Sequence, residues 1–147
     1  MLLETYIDYA ANRGVTLKYH YDQAIEMDFV PDYVNKVMSN LVSNALKFTP
    51  NGGTISVNLY QRGDRLHIDV SDTGHGISSD KLAHIFEPFY TTGDTGEAKG
   101  TGIGLALTQE IISHLDGTIT AESQVGKGTT FHIVMPIQNR SADPVTE

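Results

Sequence analysis

The chain has 147 residues, 39% of them hydrophobic, which suits one domain built around one buried core. Ten Lys and Arg against eighteen Asp and Glu leave a formal net charge of −8 with no basic block, which argues against nucleic-acid binding and against contact with an anionic membrane. Cysteine is absent, which excludes disulfides and thiolate chemistry, no apolar run approaches the roughly 20 residues that span a bilayer, and the start MLLETYIDYAANRG lacks signal-peptide order, so a soluble, cytoplasmic chain is expected.

Leu3, Ile7 and Ala10 or Ala11 recur at helical spacing from Leu2 to Asn12, and Gly14 follows where a helix C-terminus favours glycine. VTLKYHY (15–21) and IEMDF (25–29) alternate apolar and polar residues and predict two half-buried strands. Pro31 then opens a helix whose apolar stripe runs from Val34 through Val37, Met38, Leu41, Ala45 and Phe48, until TPNGG (49–53) stops it. TISVNLYQ and RLHIDVSD flank Arg62, Gly63 and Asp64 as an antiparallel hairpin. TGHGISSDKLAHIFEPFY (73–90) holds a glycine-rich turn and one short helix, while TTGDTGEAKGT (91–101) has no core-forming side chain and is expected to be mobile. GIGLALTQEIISHLDG predicts an amphipathic helix ending at Gly117. TITAES and TTFHIVMP form a closing hairpin around QVGKG, and a polar tail follows. This order implies an α+β sandwich, a mixed sheet with helices on one face, over 1–137, with 138–147 as tail or linker.

The run KGTGIGLAL places Gly100, Gly102 and Gly104 in front of a helix. The spacing G-x-G-x-G, preceded by a polar loop rather than a strand, is not a dinucleotide fingerprint, and no Walker sequence occurs. A glycine turn feeding a helix N-terminus remains, suited to an anion or simply to a turn. On the 31–48 helix, Asn40, Asn44 and Lys47 share a second face. Two asparagines in a helix interior cost stability unless they bond to something. An Asn oxygen can complete the shell of a phosphate-bound Mg²⁺ and Lys47 can meet phosphate; a solvated polar face is the alternative.

Asp72 ends the alternation of Leu66, Ile68 and Val70 and begins DTGHGI. As a carboxylate it is a pure acceptor, suited to the amino group of adenine, and Gly74 and Gly76 let backbone approach a flat base; an ordinary Asp-Gly turn is the alternative. A calcium loop is excluded because the glycines fall at ligand positions and Ala83 replaces the final Glu. FEPFY (86–90) reads either as core aromatics or as the hinge of a lid. The six histidines show no HExxH or HxH spacing; His67 and His132 fall at polar strand positions, and His20, His75, His84 and His114 lack a partner at triad or ligand spacing.

Taken in order, NLVSNALKFTP, DTGHGI, FEPFY, GTGIGLAL and GKGTTF resemble the ATP-binding catalytic domain of sensor histidine kinases, in the superfamily shared with gyrase, mismatch-repair and heat-shock chaperone ATPases. The likeness covers roughly residues 1–137 and implies a Bergerat-type two-layer sandwich with a flexible ATP lid over 91–101. It implies that Asn44 binds Mg²⁺ with Asn40 in support, that Lys47 meets the phosphates, and that Asp72 accepts the adenine amino group. Gly74 and Gly76 would shape the base pocket with Thr129 closing it, Gly100, Gly102 and Gly104 would present backbone N–H groups to the phosphates, and Ile77, Phe89, Thr101, Ile103 and Leu105 would join them in binding ATP.

Hydrolysing relatives place a Glu four residues before the metal-binding Asn; here Asn40 stands there and cannot take a proton, which favours phosphoryl transfer over hydrolysis. Many relatives carry Arg or Lys where this chain has Thr91 and Gly93, leaving Lys99 as the nearest lid cation and a candidate catalytic substitute. None of the histidines has the context of a phosphoacceptor, so the resemblance implies a His-bearing dimerisation domain absent from this chain, and a response-regulator receiver downstream. The isolated chain is expected to be monomeric, without direct membrane contact. The alternatives are a nucleotide-binding regulatory module without transfer activity and an ATPase of the same superfamily.

Overall fold

The computed structural model describes residues 2–21, 32–87 and 104–136. Helix α1 (Leu2–Asn12) leads into strand β1 (Thr16–Tyr21), and helix α2 (Asp32–Phe48) crosses over to the hairpin of β2 (Thr54–Arg62) and β3 (Arg65–Asp72). A short helix α3 (Ser79–Leu82), helix α4 (Gly104–His114) and the hairpin of β4 (Thr118–Gln124) and β5 (Gly128–Pro136) complete it. The expected strand at 25–29, the lid at 91–101 and the tail lie outside the described residues.

One five-stranded sheet forms in the order β1-β2-β3-β5-β4, with β1 parallel to β2 and the remaining pairs antiparallel. The mixed sheet and α+β class expected from the sequence are therefore observed. Alternation decides the faces: Ile55, Val57 and Leu59 on β2, Ile68 and Val70 on β3, and Phe131, Ile133 and Met135 on β5 point into one core. Against them α2 lays Val34, Val37, Met38, Leu41 and Val42, all buried, and α4 contributes Ile112. Truncating one such side chain, Leu41→Ala for example, removes about 2–5 kcal/mol.

The helix ends show which local signals were sufficient. After α1, Gly14 takes φ +77°, its N–H bonds the Ala11 carbonyl at 3.0 Å and the Val15 N–H bonds that of Ala10 at 2.9 Å, the glycine cap the sequence predicts. Helix α4 stops at His114, three residues before Gly117. Here Asp116 adopts φ +60° and donates its N–H to Ser113, while Gly117 donates to Ile112 at 2.9 Å. The cap is the same motif with aspartate in the left-handed position. Gly117 serves packing instead, because a Cβ there would lie 2.6 Å from the Val134 carbonyl oxygen.

On the opposite face, register puts Asp69 between Asn58 and His132. His132 Nδ1 bonds Asp69 Oδ1, and His132 Nε2 lies 3.4 Å from His67 Nδ1. His67 stacks on Tyr60 with centroids 4.9 Å apart. Burial, and then the neighbouring His132, lower the His67 pKa. The two strand histidines thus hold polar positions as expected but contact each other directly, with Asp69 on the far nitrogen of His132. His84 pairs with Glu87 at 2.7 Å, an i, i+3 contact on the surface.

Candidate functional site

Asp72 is the last residue of the central strand, paired with Ile55 on one side and Thr129 on the other. The turn after it folds back, so that the Gly74 N–H donates to Asp72 Oδ1 at 2.8 Å and the Thr129 N–H donates to the same oxygen at 3.3 Å. Oδ2 has no hydrogen bond among the described residues. Burial pushes the carboxyl above the usual aspartate range, against the opposing pull of those two N–H groups and of the nearby His75. The result is a fixed carboxylate with one acceptor oxygen to offer.

Three glycines allow this arrangement. A Cβ on Gly74 would sit 3.0 Å from both the Phe48 carbonyl carbon and Asp72 Oδ1, and closer still to the Phe48 oxygen. Gly76 has φ +79°, and its Cβ would meet the Gln124 carbonyl. Gly128, which the sequence reading did not single out, has φ +133° and would drive a Cβ into the Asp72 carbonyl. Its signal lay in plain view in the run GKGTTF, but only the register shows that it faces Asp72.

Thr129 is buried beside the carboxylate, and Ile77 closes the turn with its N–H donating to Ser123 Oγ at 2.7 Å. Ser123 also donates to the Gly128 carbonyl at 3.0 Å and lies 2.8 Å from Thr129 Oγ1. No motif pointed to Ser123. His75 stands edge-on to Phe48 with centroids 5.4 Å apart.

Asn40, Asn44 and Lys47 lie on one continuous helix, as their spacing requires. The Asn40 amide donates to Thr108 Oγ1 at 3.1 Å, and Thr108 is fully buried on α4. Asn40 therefore ties the two helices together. Asn44 is half-buried without a side-chain hydrogen bond among the described residues, and Lys47 is exposed. Helix α2 thus touches α4 near its middle and the Gly74 turn at its C-terminal end. Helix α4 starts at Gly104 with no acidic residue in its first turn, so the helix itself sets no negative charge against an anion at its N-terminus. Leu105 packs against the core. Phe89, Lys99, Gly100, Thr101, Gly102 and Ile103 lie outside the described residues.

Among the described residues no three His, Asp or Glu side chains are placed to hold a metal ion together. Asn44 carries a neutral amide oxygen, a donor type that hard cations accept. No described helix is long and apolar enough to cross a membrane.

A family model described as "Histidine kinase-, DNA gyrase B-, and HSP90-like ATPase" matches residues 30–139. Sensor histidine kinase ZraS of Escherichia coli K12 is 37% identical over 136 residues, covering 92% of this chain and 28% of ZraS. The adaptive-response sensory kinase SasA of Synechococcus elongatus is 40% identical over 108 residues, 73% of this chain and 28% of SasA. The chain thus spans little more than a quarter of these curated relatives. The catalytic domain of histidine kinase ThkA superimposes with a TM-score of 0.75 at 23% identity, covering 92% of this chain and 87% of that one. Full-length ShkA in complex with AMPPNP gives 0.76 at 24% identity, over 92% of this chain and 28% of that one. At these identities the structural likeness is one of fold.

Proposed function

The chain belongs to the histidine kinase-, DNA gyrase B- and HSP90-like ATPase family, as an ATP-binding catalytic domain of the sensor histidine kinase kind, and from that membership we propose how its residues act. ATP lies with its adenine at the Asp72 turn and its phosphates at the start of α4. The observation that carries this reading is the Asp72 carboxylate, held through one oxygen by Gly74 and Thr129 and, among the described residues, without a hydrogen bond at the other. A free acceptor at the end of a glycine-lined turn matches a purine amino group.

Ile77 and Phe89 flank the base in this proposal. Lys47, together with the backbone of Gly100, Thr101, Gly102, Ile103, Gly104 and Leu105, faces the phosphates. Asn44 supplies a ligand to Mg²⁺, which when bound neutralises phosphate charge. Lys99 is the lid cation. The γ-phosphoryl group passes to an imidazole nitrogen on a separate His-bearing dimerisation domain. The bond from phosphorus to the β-bridging oxygen breaks, a P–N bond forms, ADP leaves with the electron pair, and the imidazole loses its other N–H proton.

Asn40 supports transfer over hydrolysis because an amide cannot take a proton from water; its NH₂ serves instead to tie α2 to Thr108 on α4. A response-regulator receiver would accept the phosphoryl group next.

Asn44→Ala tests the scheme. Calorimetric titration with ATP, with and without Mg²⁺, should show nucleotide binding retained and its Mg²⁺ enhancement lost. Transfer of γ-labelled phosphate to a supplied His-bearing helical hairpin should fall by roughly a hundredfold or more. Full transfer by the variant would overturn the metal role. ATP binding by the parent chain without any labelling of the hairpin would favour a regulatory module, for which Thr91 and Gly93 are the motive. Steady phosphate release that disappears in Asn40→Ala would favour an ATPase.

A further inference from the structure

We infer that Ser123 is a specificity-determining positioning residue, which fixes the direction of the Thr129 hydroxyl proton and thereby selects a 6-amino purine over a 6-oxo purine. The inference rests on the adenine placement proposed above and deepens it.

The argument is a proton count. A serine hydroxyl has one hydrogen to give and two lone pairs to receive. Ser123 Oγ gives its hydrogen to the Gly128 carbonyl at 3.0 Å, an oxygen that can only accept. It receives the Ile77 N–H at 2.7 Å. Its remaining contact is Thr129 Oγ1 at 2.8 Å, so the hydrogen between the two hydroxyls must belong to Thr129. Thr129 is buried, and its only hydroxyl proton is thereby engaged by Ser123 rather than available to a ligand.

The neighbouring carboxylate follows the same logic. Asp72 Oδ1 accepts from Gly74 and Thr129, which leaves Oδ2 as a second acceptor. The two side chains meeting here, Asp72 and Thr129, therefore both offer acceptors to a ligand, Asp72 Oδ2 and the Thr129 lone pairs. A 6-amino group brings two N–H donors to meet them. A 6-oxo purine brings an acceptor in place of that amino group; its neighbouring ring N1–H can satisfy Asp72 Oδ2, but the 6-oxo oxygen faces the Thr129 lone pairs and stays unpaired. Ser123 itself need not touch the base. Without it, the Thr129 proton is free to swing toward the ligand and offer a 6-oxo group the donor it lacks.

The test is the ratio of dissociation constants for ITP and ATP in the same chain. We expect the parent to favour ATP, Ser123→Ala to reduce that ratio by at least roughly tenfold, and Ser123→Thr, which keeps a hydroxyl, to restore most of it. Thr129→Val, similar in volume and lacking the hydroxyl, should lower the ratio as well, and it serves if Ser123→Ala does not fold. A merely structural role for Ser123 would weaken both nucleotides equally. An unchanged ratio in Ser123→Ala, or in Thr129→Val, overturns the inference. If the parent binds ATP and Asp72→Asn abolishes it while the ratio stays fixed, this inference alone falls. If the parent binds neither nucleotide, the functional reading falls and takes this one with it.

Discussion

Replacing Gly74 by alanine adds one methyl group at the point where the Asp72 turn presses on the end of α2. Gly74 is not among the glycines with positive φ, so the backbone itself tolerates a side chain and the effect is steric. The new Cβ would lie 3.0 Å from the Phe48 carbonyl carbon and from Asp72 Oδ1, and closer to the Phe48 oxygen. Helix α2 is poorly placed to yield, because Ala45 and Leu46 are buried and Thr49 Oγ1 bonds the Ala45 carbonyl at 2.7 Å. The turn must move, which stretches the 2.8 Å bond from the Gly74 N–H to Asp72.

Overpacking costs about 1–3 kcal/mol, and a hydrogen bond to a charged group contributes about 1.5–3 kcal/mol. Relieving one strains the other, so the two overlap and a loss of about 3 kcal/mol is expected. At about 2–4 °C per kcal/mol for a chain of this size, Tm should fall by about 6–12 °C. A carboxylate released from one of its two anchors should also bind ATP about ten- to a hundredfold more weakly. Circular-dichroism melting and ATP titration measure both. Gly63→Ala is the control: its Cβ meets nothing within 4 Å, its φ of +62° costs only about 1 kcal/mol, and ATP binding should not change. If Gly74→Ala melts with its parent and binds ATP equally well, the contact between turn and helix is not what shapes the site.

Asp72→Asn should separate stability from function. Burial raises the folded pKa of Asp72, so its contribution to stability is fully present below the unfolded pKa and is lost as pH rises through the folded one. At neutral pH the charged form is a cost, and the variant should melt above its parent while losing ATP binding; a lower Tm would refute the account. In the parent, ATP affinity should fall on acidification at a pH above that of an ordinary aspartate, and a titration matching a free carboxyl would refute it. His67 works in the opposite sense. Its folded pKa is lowered, so the stability it contributes is present above the unfolded value and is lost as pH falls from there through the folded one. Urea midpoints should decline as pH drops below the ordinary histidine value, and His67→Gln should flatten that decline; an equal slope in both proteins would refute the role.

What could be read from the sequence was what depends on neighbours in the chain. The stripe of Val34, Val37, Met38 and Leu41, the Gly14 cap and the β2–β3 hairpin all rest on spacings of a few residues, and all are observed. The end of α4 was misplaced because an aspartate occupies a position where glycine is the usual signal. Thr108 gave no signal at all, since a polar residue inside a helix looks solvated until the facing helix supplies Asn40. The links of Ser123, Gly128 and Asp72, like those of His67, Asp69 and His132, appear only through strand register, which residue spacing along the chain does not encode.

The pairing of Asp72 with Thr129 spans 57 residues, and that gap has a consequence for how the molecule is made. The β2–β3 hairpin is local and can form as soon as Asp72 leaves the ribosome. β5 is synthesised later, at about 5–20 residues per second, so for about 3–11 seconds β3 has one edge unpaired and the base pocket has one wall. During that interval the half-built sheet offers a strand edge to any other chain, and the site proposed between Asp72 and Thr129 is incomplete. A ligand that needs both residues could stabilise only the finished sheet and not guide its assembly.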